Sequence, residues 1–126
     1  AASDGTIDLS NERFSIHYTR NVVSTDFGGE PCLLVYYDYT NNGSGASSAM
    51  VDVNLTAYQN GASLEAAIPA NSDSAIDAFM KEIQPGETVN VCQAFSLKDM
   101  SPVTLQAVDA FGLDTSVTAV QTLNLQ

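Results

Sequence analysis

The sequence predicts an all-β protein, a sandwich or barrel of about seven antiparallel strands with room for one short crossover helix. Apolar residues recur with period two rather than 3.6, and the recurring runs are rich in β-branched and aromatic side chains. Gly, Pro and Asn clusters punctuate those runs at short intervals. At 126 residues the chain has the length of one domain. The pattern assigns residues 1–12 to a tail or linker and residues 13–126 to the sandwich.

The first clear run is Arg13 to Asn21, with Phe14, Ile16 and Tyr18 on one face and Ser15, His17 and Thr19 on the other. A Gly28-Gly29 turn follows. From Cys32 to Thr40, Leu33, Val35, Tyr37 and Tyr39 share one face, while Leu34, Tyr36 and Asp38 share the opposite one. The polar stretch Asn41 to Gly45 is a loop by composition. Met50 to Tyr58 then sets Val51, Val53, Leu55 and Ala57 against Asp52, Asn54, Thr56 and Tyr58. Asn60-Gly61 suits both centres of a type I′ turn, which predicts a hairpin to a returning strand over Ala62 to Ile68.

Asn71 to Ile83 breaks the alternation. Ser74-x-x-Asp77 has the form of a capping box, and Ile76, Phe79, Met80 and Ile83 fall at helical spacing. The segment reads either as a helix of two or three turns or as an irregular crossover. Pro85-Gly86 fits the centre of a type II turn. Alternation resumes over Glu87 to Leu97, with Val89, Val91, Phe95 and Leu97 opposite Asn90, Cys92 and Ala94. A strand beginning at Pro102 carries Val103, Leu105 and Ala107 on one face, and Val117, Ala119, Leu123 and Leu125 mark a C-terminal strand.

Composition excludes several functions. Fifteen acidic residues face Arg13, Arg20, Lys81 and Lys98, for a formal charge of −11. Nucleic-acid binding needs clustered cations, and this field repels phosphate. No apolar run approaches the roughly 20 residues that span a bilayer, so no membrane insertion is expected of this segment. Ala1 to Gly5 lacks the form of a signal peptide, which places any export signal upstream.

Catalytic and metal chemistry find little footing, and no cofactor is expected. His17, the single histidine, sits on the polar face of its strand. Asn71, Asp73 and Asp77 could offer oxygens to Ca²⁺, but their spacing is not that of an EF-hand, and a solvated helix start explains them equally. Cys32 and Cys92 each fall opposite the main apolar stripe of a central strand, outside any Cys-x-x-Cys motif. If their strands are neighbours they are a candidate disulfide, which would contribute about 4 kcal/mol by closing the intervening loop. The alternative is two separate buried thiols. Leu34, Tyr36 and Tyr58 form an outward-facing set that either anchors a partner or is covered by another part of the chain.

Four strings taken together resemble a domain family of unassigned function. They are Phe14-Ser15-Ile16-His17-Tyr18, the run from Leu34 through Tyr36-Tyr37-Asp38-Tyr39 to Asn42, Tyr58-Gln59-Asn60-Gly61, and Gln84-Pro85-Gly86-Glu87. The family is found in surface lipoproteins and secreted proteins of Gram-positive bacteria, and it is similar to the telokin-like, immunoprotective-extracellular-protein group of immunoglobulin-like sandwiches. The resemblance implies an extracellular or cell-surface location, a lipid anchor carried upstream of Ala1, and no enzymatic activity. It implies no functional residues, and neither cysteine belongs to its pattern. The expectation is therefore a non-catalytic domain that binds a protein, peptide or glycan. The alternative is a structural spacer with no ligand of its own. A protease inhibitor acting through the Asn41 to Ser48 loop is a third reading with no specific residue behind it.

Overall fold

The alternating runs form two four-stranded antiparallel sheets in the computed structural model, which describes residues 7–10, 12–70, 74–109 and 119–125. In chain order the elements are β1 (Asp8–Ser10), β2 (Phe14–Thr25), β3 (Pro31–Asn41), α1 (Ala49–Asp52), β4 (Val53–Gln59), β5 (Ala62–Ser63), α2 (Ser74–Met80), β6 (Thr88–Ser96), β7 (Val103–Asp109) and β8 (Ala119–Leu123). One sheet has the order β1-β2-β3-β6 and the other β5-β4-β7-β8. The β2–β3–β6 and β4–β7–β8 pairings are those of strands A-B-E and C-F-G of an immunoglobulin sandwich, with β1 added outside.

Two layers bury one interior, because each strand contributes every second side chain to it. Phe14, Ile16, Leu33, Val35, Tyr37, Tyr39, Val91 and Phe95 of the first sheet meet Val53, Leu55, Ala57, Val103, Leu105, Ala107 and Leu123 of the second. Both expected turns are present. Asn60 and Gly61 have φ of 52° and 83°, the signature of type I′, and Gly86 has φ of 85°, as the second centre of type II requires.

Three expectations need correction. Within the expected tail, Asp8–Ser10 form β1 at the edge of the first sheet and Ile7 is buried in the core. The strand expected from Met50 begins only at Val53. Ser48 caps the short α1 turn by accepting the Val51 N–H at 3.3 Å, so Val51 faces solvent and Asp52 turns inward. The returning strand over Ala62 to Ile68 stops at Ser63. Beyond it the chain leaves β4, bridges to β6 through Ala66 and Phe95, and then to the end of β2 through Pro69 and Asp26. The open alternative over Asn71 to Ile83 resolves as the helix α2 over Ser74–Met80. Val117 of the expected C-terminal strand lies outside the described residues, and Leu125 packs beyond the end of β8.

Candidate functional site

At the end of the sandwich where β2 begins, a buried polar group is built around Asp52. The α1 turn delivers its carboxylate into the protein, where Arg13 Nη1 donates to Oδ1 at 3.0 Å and the Tyr39 hydroxyl donates to Oδ2. The Ser47 hydroxyl also hydrogen bonds Tyr39, and burial drives the Tyr39 hydroxyl well above its ordinary pKa. Asn41 is buried beside this group. Its Nδ2 donates to the carbonyls of Gly45 at 2.8 Å and Ile83 at 3.0 Å, and its Oδ1 accepts the Gly43 N–H at 2.9 Å. These bonds tie the Asn42 to Ser47 loop to the β6 approach.

The loop walls a solvent-open cavity of about 670 Å³ with Arg13 and Asp52 in its lining. Arg13, the cation in this lining, is paired with the buried Asp52 carboxylate. The arrangement fixes a loop and offers a ligand polar backbone. Sequence reasoning missed it because Asp52 sits in phase with the polar residues of an alternating run.

The outer face of the first sheet carries the second feature. Leu34 and Tyr36 are buried with Cys32, Cys92 and Ala75 in a small cluster beneath α2, joined by Ala67, Ile76 and Ala94. The Arg20 guanidinium lies 3.8 Å from the centre of the Tyr36 ring, a cation–π contact that closes the cluster's margin. The chain itself therefore covers Leu34 and Tyr36. Tyr58 does not join them, since it lies half-buried on β4 of the other sheet, opposite Ser63 and Thr104. The three residues form no common surface.

Cys32 and Cys92 lie on neighbouring strands and the same face, yet they do not bond. The β3–β6 register sets Cys32 against Ser96 and Tyr36 against Cys92. The two cysteines are thus four positions out of step, roughly 13 Å along the ladder, whereas a disulfide needs Cα atoms within about 7 Å. Both thiols are buried, and burial raises the Cys32 pKa with a smaller push from Asp26, which keeps that sulfur protonated and unreactive.

Other expected groups are dispersed. His17 is exposed, with Nδ1 3.8 Å from Asp8. Asp77 is exposed on α2, and its proposed partners Asn71 and Asp73 lie outside the described residues. Among the described residues, no three His, Cys, Asp or Glu side chains gather as a metal site. No helix among them is long and apolar enough to cross a membrane.

Two strongly exposed apolar residues meet at the opposite end, at the β2–β3 hairpin. Phe27 and Ile68 are 83% and 74% exposed, and the Phe27 N–H donates to the Ile68 carbonyl at 2.7 Å. The Asp26–Pro69 bridge makes Phe27 and Ile68 a directly opposed pair, so both side chains project on one face.

These features define an all-β, immunoglobulin-like sandwich domain with one loop-walled end and one apolar tip. The chain belongs to the family described as Domain of unknown function (DUF5067), whose model matches residues 1–109. Solved structures with the same fold include putative lipoproteins of Bacillus subtilis (11% identity, TM-score 0.71) and Staphylococcus aureus (8% identity, TM-score 0.74). A protein from Enterococcus faecalis is similar as well, at 18% identity and a TM-score of 0.72. The alignments cover 97%, 94% and 98% of this chain respectively. This chain spans 39% of the Bacillus protein, 88% of the Staphylococcus protein and 93% of the Enterococcus protein. No curated protein matches the sequence.

Proposed function

We propose that this chain is a non-catalytic extracellular or cell-surface domain that binds a protein, peptide or glycan. The observation that carries the reading is the solvated Phe27–Ile68 pair at the hairpin tip. A spacer gains nothing from an apolar pair in water, whereas a binding surface uses one as its anchor. The folds shared with two candidate lipoproteins support a surface location with an anchor upstream of Ala1. The B-E and C-F-G pairing supports kinship with the telokin-like sandwiches.

The test is affinity capture from a cell-surface extract with the intact domain and with a Phe27→Ser/Ile68→Ser double variant of unchanged melting temperature. A binding domain captures a partner that the double variant recovers at least tenfold less well. Identical recovery by both proteins, at the level of an unrelated sandwich domain, assigns the chain to the spacer class.

A further inference from the structure

The backbone of β2 alternates between its neighbour β3 and the outer edge of the sheet. At the hairpin, Asp26 N–H and C=O bond across the turn to Glu30 and Gly29, while Thr25 C=O and Phe27 N–H bond outward to Ala70 and Ile68. Counting back by twos, the N–H and C=O groups of Val23 and Asn21 also point outward. At the other end of the strand, Tyr18 N–H donates outward to the Ile7 carbonyl, continuing the β1 pairing. The register shift between Tyr18 and Arg20 reconciles the two phases.

The outer edge of β2 is therefore paired twice, below by β1 and above by residues 68–70. It has a gap at Arg20 to Ser24 where no described residue pairs with it. Sheet edges are usually protected by proline or by outward lysine. Arg20 to Ser24 contain neither, the bulge between Tyr18 and Arg20 touches only the lower end of the gap, and the charge of Arg20 is turned onto the Tyr36 ring.

Side chains beside the gap complete a recognition surface. Val23 and Thr25 lie on one face of β2, and just beyond its end Ile68 stands opposite Phe27. Val23 is 40% exposed at the foot of that apolar stripe, and Val22 is exposed on the other face. Exposed carboxylates flank the gap, Asp8 below it and Glu30 at the tip, on a chain with a net charge of −11.

We infer that Arg20 to Ser24 of β2 accepts an extended, Lys/Arg-bearing peptide segment as an added strand. An apolar side chain of the partner rests on Val23, and the end of the segment that leaves the gap past Ser24 leans on the Phe27–Ile68 pair. Main-chain bonds to Asn21 and Val23 hold the peptide, the apolar stripe selects its side chains, and the acidic field steers a basic partner. The inference rests on the binding-domain reading and names its surface and partner class.

The test is an amide-resolved NMR titration with an eight-residue peptide of alternating Lys and Val. Three controls accompany it: the same peptide N-methylated at alternate residues, a Glu/Val counterpart, and a Val23→Pro variant that loses one outward N–H. The proposal expects saturable shifts confined to residues 20–27 and 68–70, with slowed exchange of the Asn21 and Val23 amides. Binding should weaken at least tenfold with the N-methylated or Glu/Val peptide and with the variant. Shifts elsewhere, or equal binding of the N-methylated peptide to the unaltered protein, overturn it. So do Asn21 and Val23 amides already protected in the free protein, whether the cause is residues 1–6 in the monomer or a second copy in a dimer seen by ultracentrifugation. If the peptide fails while the Phe27→Ser/Ile68→Ser variant still loses captured partner, strand addition falls and the binding-domain reading stands.

Discussion

Asp52 shows how one side chain can organise an end of the sandwich. It is 3% exposed, and a carboxylate so placed is tolerated because Arg13 and Tyr39 both donate to it. Asp52→Ala removes the shared acceptor and leaves the buried Tyr39 hydroxyl with Ser47 alone, so it should cost about 2–4 kcal/mol in urea denaturation. Arg13→Ala should cost less, because that guanidinium reaches solvent and Tyr39 keeps its acceptor. Equal losses for the two variants would show that the pair, not the carboxylate alone, is the hub.

Tyr37 gives a second prediction at this scale. It is wholly buried, donates to Gln93 Oε1 at 2.7 Å, and has its pKa raised by burial first and by Cys92 and Tyr39 after that. Its folded pKa lies above the unfolded value of 10.0, so its contribution to stability is complete below pH 10 and is lost as pH rises beyond it. The loss should approach 1.4 kcal/mol per pH unit for this residue, because the unfolded chain releases a proton that the folded chain keeps. Tyr37→Phe should flatten the fall in stability between pH 10 and 12 by that slope. An unchanged slope would assign the alkaline loss to other tyrosines.

Among the elements, those with strict alternation were legible in the sequence and those set by competing local signals were not. The inward residues Leu33, Val35, Tyr37 and Tyr39 of β3 and Val53, Leu55 and Ala57 of β4 could be read from period two alone. The Asn60-Gly61 and Pro85-Gly86 turns could be read from the φ values those residues permit. The α1 turn was hidden because Val51 and Asp52 continue the alternation of β4 in phase, although the Ser48 cap overrides it. The cysteine pairing failed for a different reason: period two gives the face of a strand but not its register against a neighbour. The same limit dispersed Leu34, Tyr36 and Tyr58, whose common outward phase carries no information about which sheet they occupy. Phe27 and Ile68 were missed because their opposition depends on a long-range bridge.

The cover over the outer face is itself testable as an element. Seven residues of α2 lie over Cys92, and Ala75, 6% exposed, is buried in one cluster with Cys32, Leu34, Tyr36 and Cys92. A helix that short relies on packing rather than on its own propensity, so it should open locally before the sandwich unfolds. Ala75→Arg leaves no room for the helix to seat. It should accelerate labelling of native Cys92 by a thiol-reactive reagent at least tenfold, while the main unfolding transition shifts by only about 1 kcal/mol. In the unaltered protein, alkylation without reductant should find two free thiols after denaturation and neither before. Labelling at the unaltered rate in the variant would place the seal elsewhere.

Taken as a whole, the molecule sets a well-filled core against a surface that repels itself. A net charge of −11 destabilises the compact state, because folding brings the carboxylates closer together than they are in an extended chain. Salt should relieve this. Raising NaCl from about 20 mM to about 200 mM shortens the Debye length from roughly 20 Å to below 10 Å, which screens repulsion between exposed carboxylates. The Arg13–Asp52 pair, in contact and largely shielded from solvent, should lose little over the same range. The net result should be a melting temperature about 2–5 °C higher, corresponding to about 1 kcal/mol for a chain of this size. The same salt should slow association of a basic peptide at the β2 edge while leaving its main-chain bonds intact, so the two effects of one variable carry opposite signs. A melting temperature that falls with salt would mean that exposed attractive pairs outweigh the repulsion, which a chain with fifteen acidic and four basic residues gives little means to do.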